Sequence, residues 1–571
     1  MLSIAESLTN IIFAPLKDGL RSVSLSANWM WPCRNEGEDA RLYDAVEACS
    51  NFAVSLGINI PTGKDSLSMT QKYGTDSVLA PGTVIISAAG EVSDVKHIVG
   101  PVIVNDPAAP IYYIDFSFCN MRLGGSALAQ CLGYVGDKCP TCTDADYFAT
   151  AFDTVQDLIK NHLVIAGHDI SAGGMLTALL EMCFANTEGG LLVDLSMLAE
   201  RDIVKILFAE NPGILVQVRD EKRVSSMLQK AGIAYARIAT PIAERTIHIE
   251  HHNIKLDIDA LRDLWYRTSF LLDRRQSGES CAYQRYSNYK QQPLHFTFPN
   301  HFAGTMASYG ISAERRPSGI KAAIIREKGT NGDREMAYSL YLAGFDVKDV
   351  HMTDLESGRE DLSDVHFIVF CGGFSNSDVL GSAKGWAGGF RYNERARRVL
   401  NNFYQRHDTL SLGVCNGCQL MMELGLIMPD DRQKPRMLHN DSHKFESNFV
   451  SVVVPSNHSV MFGSLAGSRL GIWVAHGEGK FCLPEPEEHY HIVLKYAYHE
   501  YPANPNGSDY DVAGLCTADG RHLAMMPHLE RAIFPWQWGY YLTTRQHQDQ
   551  ITPWIEAFVN ARRWVESHKK S

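Results

Sequence analysis

Cys415 lies in Ser411-Leu412-Gly413-Val414-Cys415-Asn416-Gly417-Cys418-Gln419-Leu420, where a reactive residue type meets a change of hydrophobic pattern. Leu410, Leu412 and Val414 read as a strand that stops at the cysteine, and residues 419–424 read as a helix closed by Gly425. Glycines stand two positions before and two after the cysteine, the Gly-x-Cys-x-Gly form of a nucleophile elbow. A sharp strand-to-helix turn pushes its central residue toward strained backbone angles and tolerates only small neighbours. The N-terminus of the following helix favours thiolate over thiol.

A cysteine nucleophile needs a base, and the base needs a group to orient it. Leu523-Ala524-Met525-Met526 is an apolar run that leads into Pro527-His528-Leu529-Glu530-Arg531. On an extended segment positions i and i+2 point the same way, so Glu530 can hold one tautomer of His528. His476, in Ala475-His476-Gly477-Glu478-Gly479, competes for the role among 22 histidines. His528 is preferred because it ends an apolar strand and carries its own carboxylate. Gly372 and Gly373 follow another strand, residues 365–370, and their backbone N–H groups could stabilise an oxyanion. Together these three strand-end loops suit amide hydrolysis through a thioester.

Such a constellation needs a scaffold. From residue 319 strands and helices alternate: strands at 322–325 and 365–370, helices at 334–344 and 395–404, then the elbow. The pattern predicts a doubly wound parallel-sheet α/β domain over 319–571, with the site at the carboxyl ends of its strands. Residues 265–318 mix polar and aromatic residues without periodicity and read as a connector. Upstream, an α+β unit is expected over 101–264, with strands at 111–114, 164–166 and 213–218 and helices at 152–163, 175–184 and 224–231. Residues 1–100 form a further subdomain, with helices near Leu2–Ile12 and 42–56, strands at 58–60 and 83–89, and a lysine-tipped turn at 61–66. Leu2, Ala5, Leu8 and Ile11 give helical spacing with no preceding cap, so a segment is expected upstream.

Length and composition narrow the classes. A chain of 571 residues suggests roughly three or four domains. A net charge of −12 argues against a nucleic-acid backbone partner. No apolar run approaches the ~18 residues of a membrane span, and Glu6 in an uncharged start argues against a signal peptide. Thirteen scattered cysteines fit reduced thiols and a cytoplasmic location. The pairs Cys139/Cys142 and Cys415/Cys418 lie far apart without matching histidines, which argues against a zinc ribbon.

Gly413 to Gln419, with Pro527-His528-x-Glu530-Arg531, resembles the class I glutamine amidotransferases. Cys371-Gly372-Gly373-Phe374-Ser375, the Ala475–Gly479 motif and Tyr501-Pro502-Ala503-Asn504-Pro505-Asn506-Gly507-Ser508 narrow the resemblance to the glutaminase domain of large single-chain phosphoribosylformylglycinamidine synthases. Glu6-Ser7-Leu8-Thr9-Asn10, Gly63-Lys64-Asp65-Ser66-Leu67-Ser68-Met69 and His168-Asp169-Ile170-Ser171-Ala172-Gly173-Gly174 resemble the second synthetase-like repeat of that family. Asn376-Ser377 where relatives often carry Tyr-Gly, Leu529 for a common proline and Ala172 for a frequent aspartate are departures.

The resemblance implies that Cys415 attacks the carboxamide of glutamine, His528 moves the proton and Glu530 orients it. It implies that Gly372, Gly373, Phe374, Cys418 and Gln419 line the oxyanion and glutamine site. It places Mg²⁺ on Glu6, Asn10 and Asp169, and a nucleotide, ADP or ATP, beside Ser171. Glu6 and Asn10 lie one helical turn apart, and Asp169 is expected on a strand-to-helix loop. The implied reaction is ATP- and glutamine-dependent conversion of formylglycinamide ribonucleotide to the amidine, with a first synthetase repeat supplied in cis or in trans. Another glutamine-dependent ligase, or a non-catalytic ADP-binding partner, is the alternative.

Overall fold

The computed structural model describes residues 1–312, 314–542 and 544–569. The chain divides within one long helix into two compact units, residues 1–266 and 267 onward. Among the described residues no helix is long and apolar enough to cross a membrane.

The first unit begins with helix α1 (Leu2–Ile11), whose Ile4, Ala5 and Leu8 are buried. Strand β1 (Val23–Met30) follows, then helix α2 (Glu38–Ser55), β2 (Asn59–Ser66) and β3 (Thr83–Gly90), in a sheet of order β2-β1-β3. Strict alternation in β1 buries Val23, Leu25, Ala27 and Trp29 on one face. The lysine-tipped turn expected at 61–66 is instead the body of β2, which pairs parallel with β1 and sets Ala27 opposite Gly63. Pro61 misled the reading, because β2 is an edge strand, where a missing N–H is tolerated.

A seven-stranded mixed sheet completes this unit: β4 (Ile111–Asp115), β5 (Val164–Asp169), β6 (Gly190–Val193), β7 (Gly213–Val218), β8 (Tyr235–Ile242), β9 (Thr246–Ile249) and β10 (Ile254–Asp257), in the order β10-β9-β6-β8-β4-β7-β5. Its helices are α3 (Ala145–Lys160), α4 (Gly174–Phe184) and α5 (Glu221–Ala231). Asp169 is the last residue of β5 rather than part of a loop.

The expected connector is not structureless. Helix α6 (Ile258–Gln276) runs through its start and α7 (Gly278–Ser287) follows. Periodicity failed there because buried polar groups stabilise these turns. Asp273 accepts from Ser277 Oγ, from Arg285 at 2.9 Å and from Lys444 at 3.1 Å. Burial pushes the Asp273 carboxyl up, but those hydrogen bonds and charges hold it below its ordinary value.

The second unit is built on a nine-stranded sheet: β11 (Lys321–Arg326), β12 (Asp346–His351), β13 (Val365–Phe370), β14 (Leu410–Val414), β15 (Glu446–Val453), β16 (Arg469–His476), β17 (Ile492–Tyr496), β18 (Val512–Cys516) and β19 (His522–Met525). The order is β12-β11-β13-β14-β19-β18-β17-β15-β16. The first five strands are parallel, as the strand–helix alternation predicts, with α8 (Asp333–Leu342), α9 (Lys384–Tyr392), α10 (Glu394–Gln405) and α11 (Asn416–Leu424) among the connections. From β19 to β16 every pairing is antiparallel, so the sheet is mixed rather than wholly parallel. Helix α10 buries Ala396, Val399, Leu400 and Phe403, one apolar stripe at helical spacing.

Candidate active site

The elbow forms where β14 ends. Cys415 adopts φ 52° and ψ −107°, a backbone few non-glycine residues hold, and only 5% of it is exposed. Both flanking glycines are sterically required. A Cβ on Gly417 would stand 2.0 Å from Phe370 O, and one on Gly413 would stand 2.5 Å from Gly417 O. The Cys415 N–H donates to Met525 O of β19 at 2.9 Å, which ties the elbow to the strand that delivers His528.

His528 and Glu530 are each 1% exposed, and His528 Nδ1 lies 2.7 Å from Glu530 Oε1. The carboxylate acceptor fixes the proton on Nδ1 of the neutral ring and leaves Nε2 for chemistry. Burial opposes the imidazolium, but the Glu530 carboxylate and the Cys415 sulfur outweigh it and hold His528 up at about 9. The position a Cβ would take on Gly372 lies 2.8 Å from His528 Cε1 and 3.4 Å from Cys415 Cβ. Imidazole, sulfur and the Gly372 backbone therefore share one small pocket. His476, the competing base, is buried and bonded through Nδ1 to Asn440 Oδ1 at 3.2 Å; burial and the nearby His528 charge push it down to about 3. It stays neutral and has no carboxylate partner of its own.

Other expected residues fall differently. The Phe374 N–H donates to Gly329 O at 2.8 Å and its ring packs at the surface against Phe445, so that N–H is spent. Gly373, at φ 127°, is pressed against Thr330 and Asn331, where no side chain fits. The Cys418 side chain points into the core, and burial pushes its thiol far up. The Gln419 amide is used within the protein, donating to Glu478 O at 2.7 Å and accepting from Asn416 Nδ2 at 3.0 Å. The Gln419 N–H is used within the protein too, donating to Cys415 O at 3.0 Å. Sequence reasoning missed two groups here. The Cys415 thiol donates to Ala475 O at 3.5 Å, and Asn440 is bonded to the same turn; neither carried a pattern that could have exposed it.

In the first unit Asp169 is largely buried while Glu6 and Asn10 are exposed. Burial, then the neighbouring Asp169 and Glu210 carboxylates, raise Glu6, so these three acids form one negative cluster. Among the described residues no hydrogen bond joins Asn10 to Asp169. Glu210, absent from the sequence reading, accepts from the backbone N–H of Ala127 and of Gly173 at 2.8 and 2.9 Å. Ser171 lies two residues past Asp169, in the turn that starts α4.

Residues 319–565 match the CobB/CobQ-like glutamine amidotransferase domain, residues 1–91 the FGAR-AT PurM_N-like domain and residues 121–252 the C-terminal domain of AIR synthase related proteins. Over 99% of its length the chain is 39% identical to human phosphoribosylformylglycinamidine synthase. The chain is homologous to the phosphoribosylformylglycinamidine synthases. A probable chloroplastic or mitochondrial phosphoribosylformylglycinamidine synthase of Arabidopsis thaliana is 38% identical over 99% of the chain. The chain spans 44% and 42% of these two synthases, under half the length of each. Among solved structures, PurLQS of Thermotoga maritima is 25% identical with a TM-score of 0.35, covering 43% of this chain and 99% of that one.

Proposed function

We propose that the second unit hydrolyses glutamine through Cys415, and that the chain serves the ATP-dependent conversion of formylglycinamide ribonucleotide to formylglycinamidine ribonucleotide in purine biosynthesis. The observation that carries this reading is the buried 2.7 Å His528–Glu530 pair beside a cysteine held at φ 52°, inside a stretch that matches glutamine amidotransferases. In the first step the Cys415 sulfur bonds to the carboxamide carbon and the carbonyl oxygen takes up negative charge. Backbone N–H groups of Gly372–Gly373 and of the first turn of α11 stabilise that oxyanion. His528 Nε2 gives its proton to the amide nitrogen, the C–N bond breaks, and ammonia leaves a thioester on Cys415. Water then attacks the thioester, giving its proton to His528; the C–S bond breaks and glutamate departs.

The test is ammonia release from glutamine by the purified chain, alone and with the remainder of a synthetase supplied. Production of glutamate and ammonia in equal amounts supports the reading; none under either condition overturns it. Gly372→Ala is expected to lower kcat on the order of 10²-fold, because its methyl group would displace His528, whose Cε1 lies 2.8 Å away. Kinetics with a thermal melt on the same sample check this.

The acids of the first unit fit a divalent cation. Glu6 ionises against the charges of Asp169 and Glu210, and a hard cation on these oxygens relieves that repulsion. Mg²⁺ held by Glu6, Asp169 and Asn10, with Glu210 adjacent, would neutralise the phosphates of ADP or ATP beside Ser171. Asp169→Asn is expected to abolish the rise in melting temperature that MgADP gives the wild-type chain, a rise worth about 2.7 kcal/mol at a hundredfold excess over Kd. An unchanged rise contradicts the site.

Exposed large apolar side chains gather between Tyr43 and Val104, including Val54 (74%), Val78 (57%), Leu79 and Ile85. This concentration supports docking of a second synthetase-like body, in the same or another polypeptide.

A further inference from the structure

Asn440 is wholly buried in the loop that precedes β15 and uses all its polar groups. Its side-chain NH₂ donates to His476 O at 2.7 Å and Lys444 O at 3.0 Å. Its Oδ1 accepts from the Gly479 N–H at 2.9 Å and from His476 Nδ1 at 3.2 Å. Its backbone N–H donates to Gly477 O at 2.9 Å. Four of these five bonds end on the turn at residues 476–479.

That turn, with the strand residue before it, carries two carbonyls into the site. Ala475 O accepts from Cys415 Sγ at 3.5 Å. Glu478 O accepts from Gln419 Nε2 at 2.7 Å. Gln419 is bonded in turn to Asn416, whose Oδ1 accepts from the Ser375 N–H at 3.2 Å, in the loop that follows Gly372 and Gly373. The position of the 476–479 turn thus sets both the acceptor against the sulfur and a chain of bonds that reaches the oxyanion loop. There is no slack in its packing, since a Cβ on Gly479 would stand 2.4 Å from His476 Nδ1.

We propose that Asn440 is a positioning residue for the glutaminase reaction, holding the turn from which Ala475 O meets the nucleophile and Glu478 O meets Gln419. The inference rests on the glutaminase reading above. Ala475 O accepts from Cys415 Sγ at 3.5 Å, and a turn set loose withdraws that contact and frees the sulfur to shift.

The test uses the full chain, with steady-state glutaminase kinetics and a thermal melt on the same samples. Two variants displace the same turn independently: Asn440→Asp, which sets carboxylate oxygen against two carbonyls, and Gly479→Ala, which crowds His476. Either variant is expected to lower kcat for glutamine about 10–100-fold, with KM changing far less. Loss of kcat that only tracks a lowered melting temperature, or a KM that rises as much as kcat falls, overturns the proposal, as does wild-type kcat in both variants. Should Asn440→Asp fail to fold, Gly479→Ala decides. Failure of the glutaminase reading shows separately, as a wild-type chain that never releases ammonia.

Discussion

Cys415→Ala is expected to stop ammonia release from glutamine, lowering kcat by about 10⁵-fold or more, the scale on which removal of a catalytic nucleophile acts. No other sulfur can take its place. Cys418, three residues on, is sealed in the core with its thiol pushed far up by burial. Cys371, also buried, is raised to about 12. The fold should tolerate the change. Alanine accepts the strained elbow backbone about as well as cysteine, and the small loss of volume borders the pocket. A chain supplied with the rest of a synthetase should still use ammonium salts, because only the source of ammonia is lost. A steady-state assay with glutamine and with ammonium chloride separates the two activities.

Glu530→Gln is expected to lower kcat by about 10²–10⁴-fold, the range between loss of general acid–base help and loss of the orienting carboxylate of a triad. The variant keeps the shape but replaces the negative acceptor 2.7 Å from His528 Nδ1. The pH profile gives the sharper reading. In the folded wild type His528 titrates at about 9, above its ordinary 6.5, so it holds the proton it must give to ammonia until the pH rises through about 9. Burial alone pushes the other way, and without the Glu530 charge it gains the upper hand. The alkaline limb of kcat should therefore move to lower pH in the variant. The same linkage gives a stability signature. Pairing of His528 stabilises the fold fully below about pH 6.5 and is lost as pH rises through about 9, and the variant should lose that dependence. Melts at pH 6 and pH 10 for both proteins measure it.

The elbow geometry and the His528–Glu530 pair were legible in the sequence because each is a short-range pattern. Gly413 and Gly417 flank Cys415 at a spacing that backbone clashes enforce, and His528 and Glu530 are two residues apart on one chain segment. The parallel half of the large sheet was legible for the same reason, through buried runs such as Val365–Phe370. What stayed hidden depends on partners distant in sequence. The Phe374 N–H is taken by Gly329 O, 45 residues earlier, and Asn440 finds its partners in a turn 36 residues later. Helices α6 and α7 are stabilised by the buried charge of Asp273 rather than by an apolar stripe, so periodicity could not reveal them. Glu210 joins Glu6 and Asp169 only because β7, the strand after it, pairs with β5.

The most direct measurement is covalent trapping with a glutamine-like chloroketone, followed by peptide mapping of the intact chain. The account predicts one adduct, on Cys415, formed more slowly when glutamine competes and absent from Cys415→Ala. Modification of another residue under glutamine protection, with Cys415 left free, would contradict it.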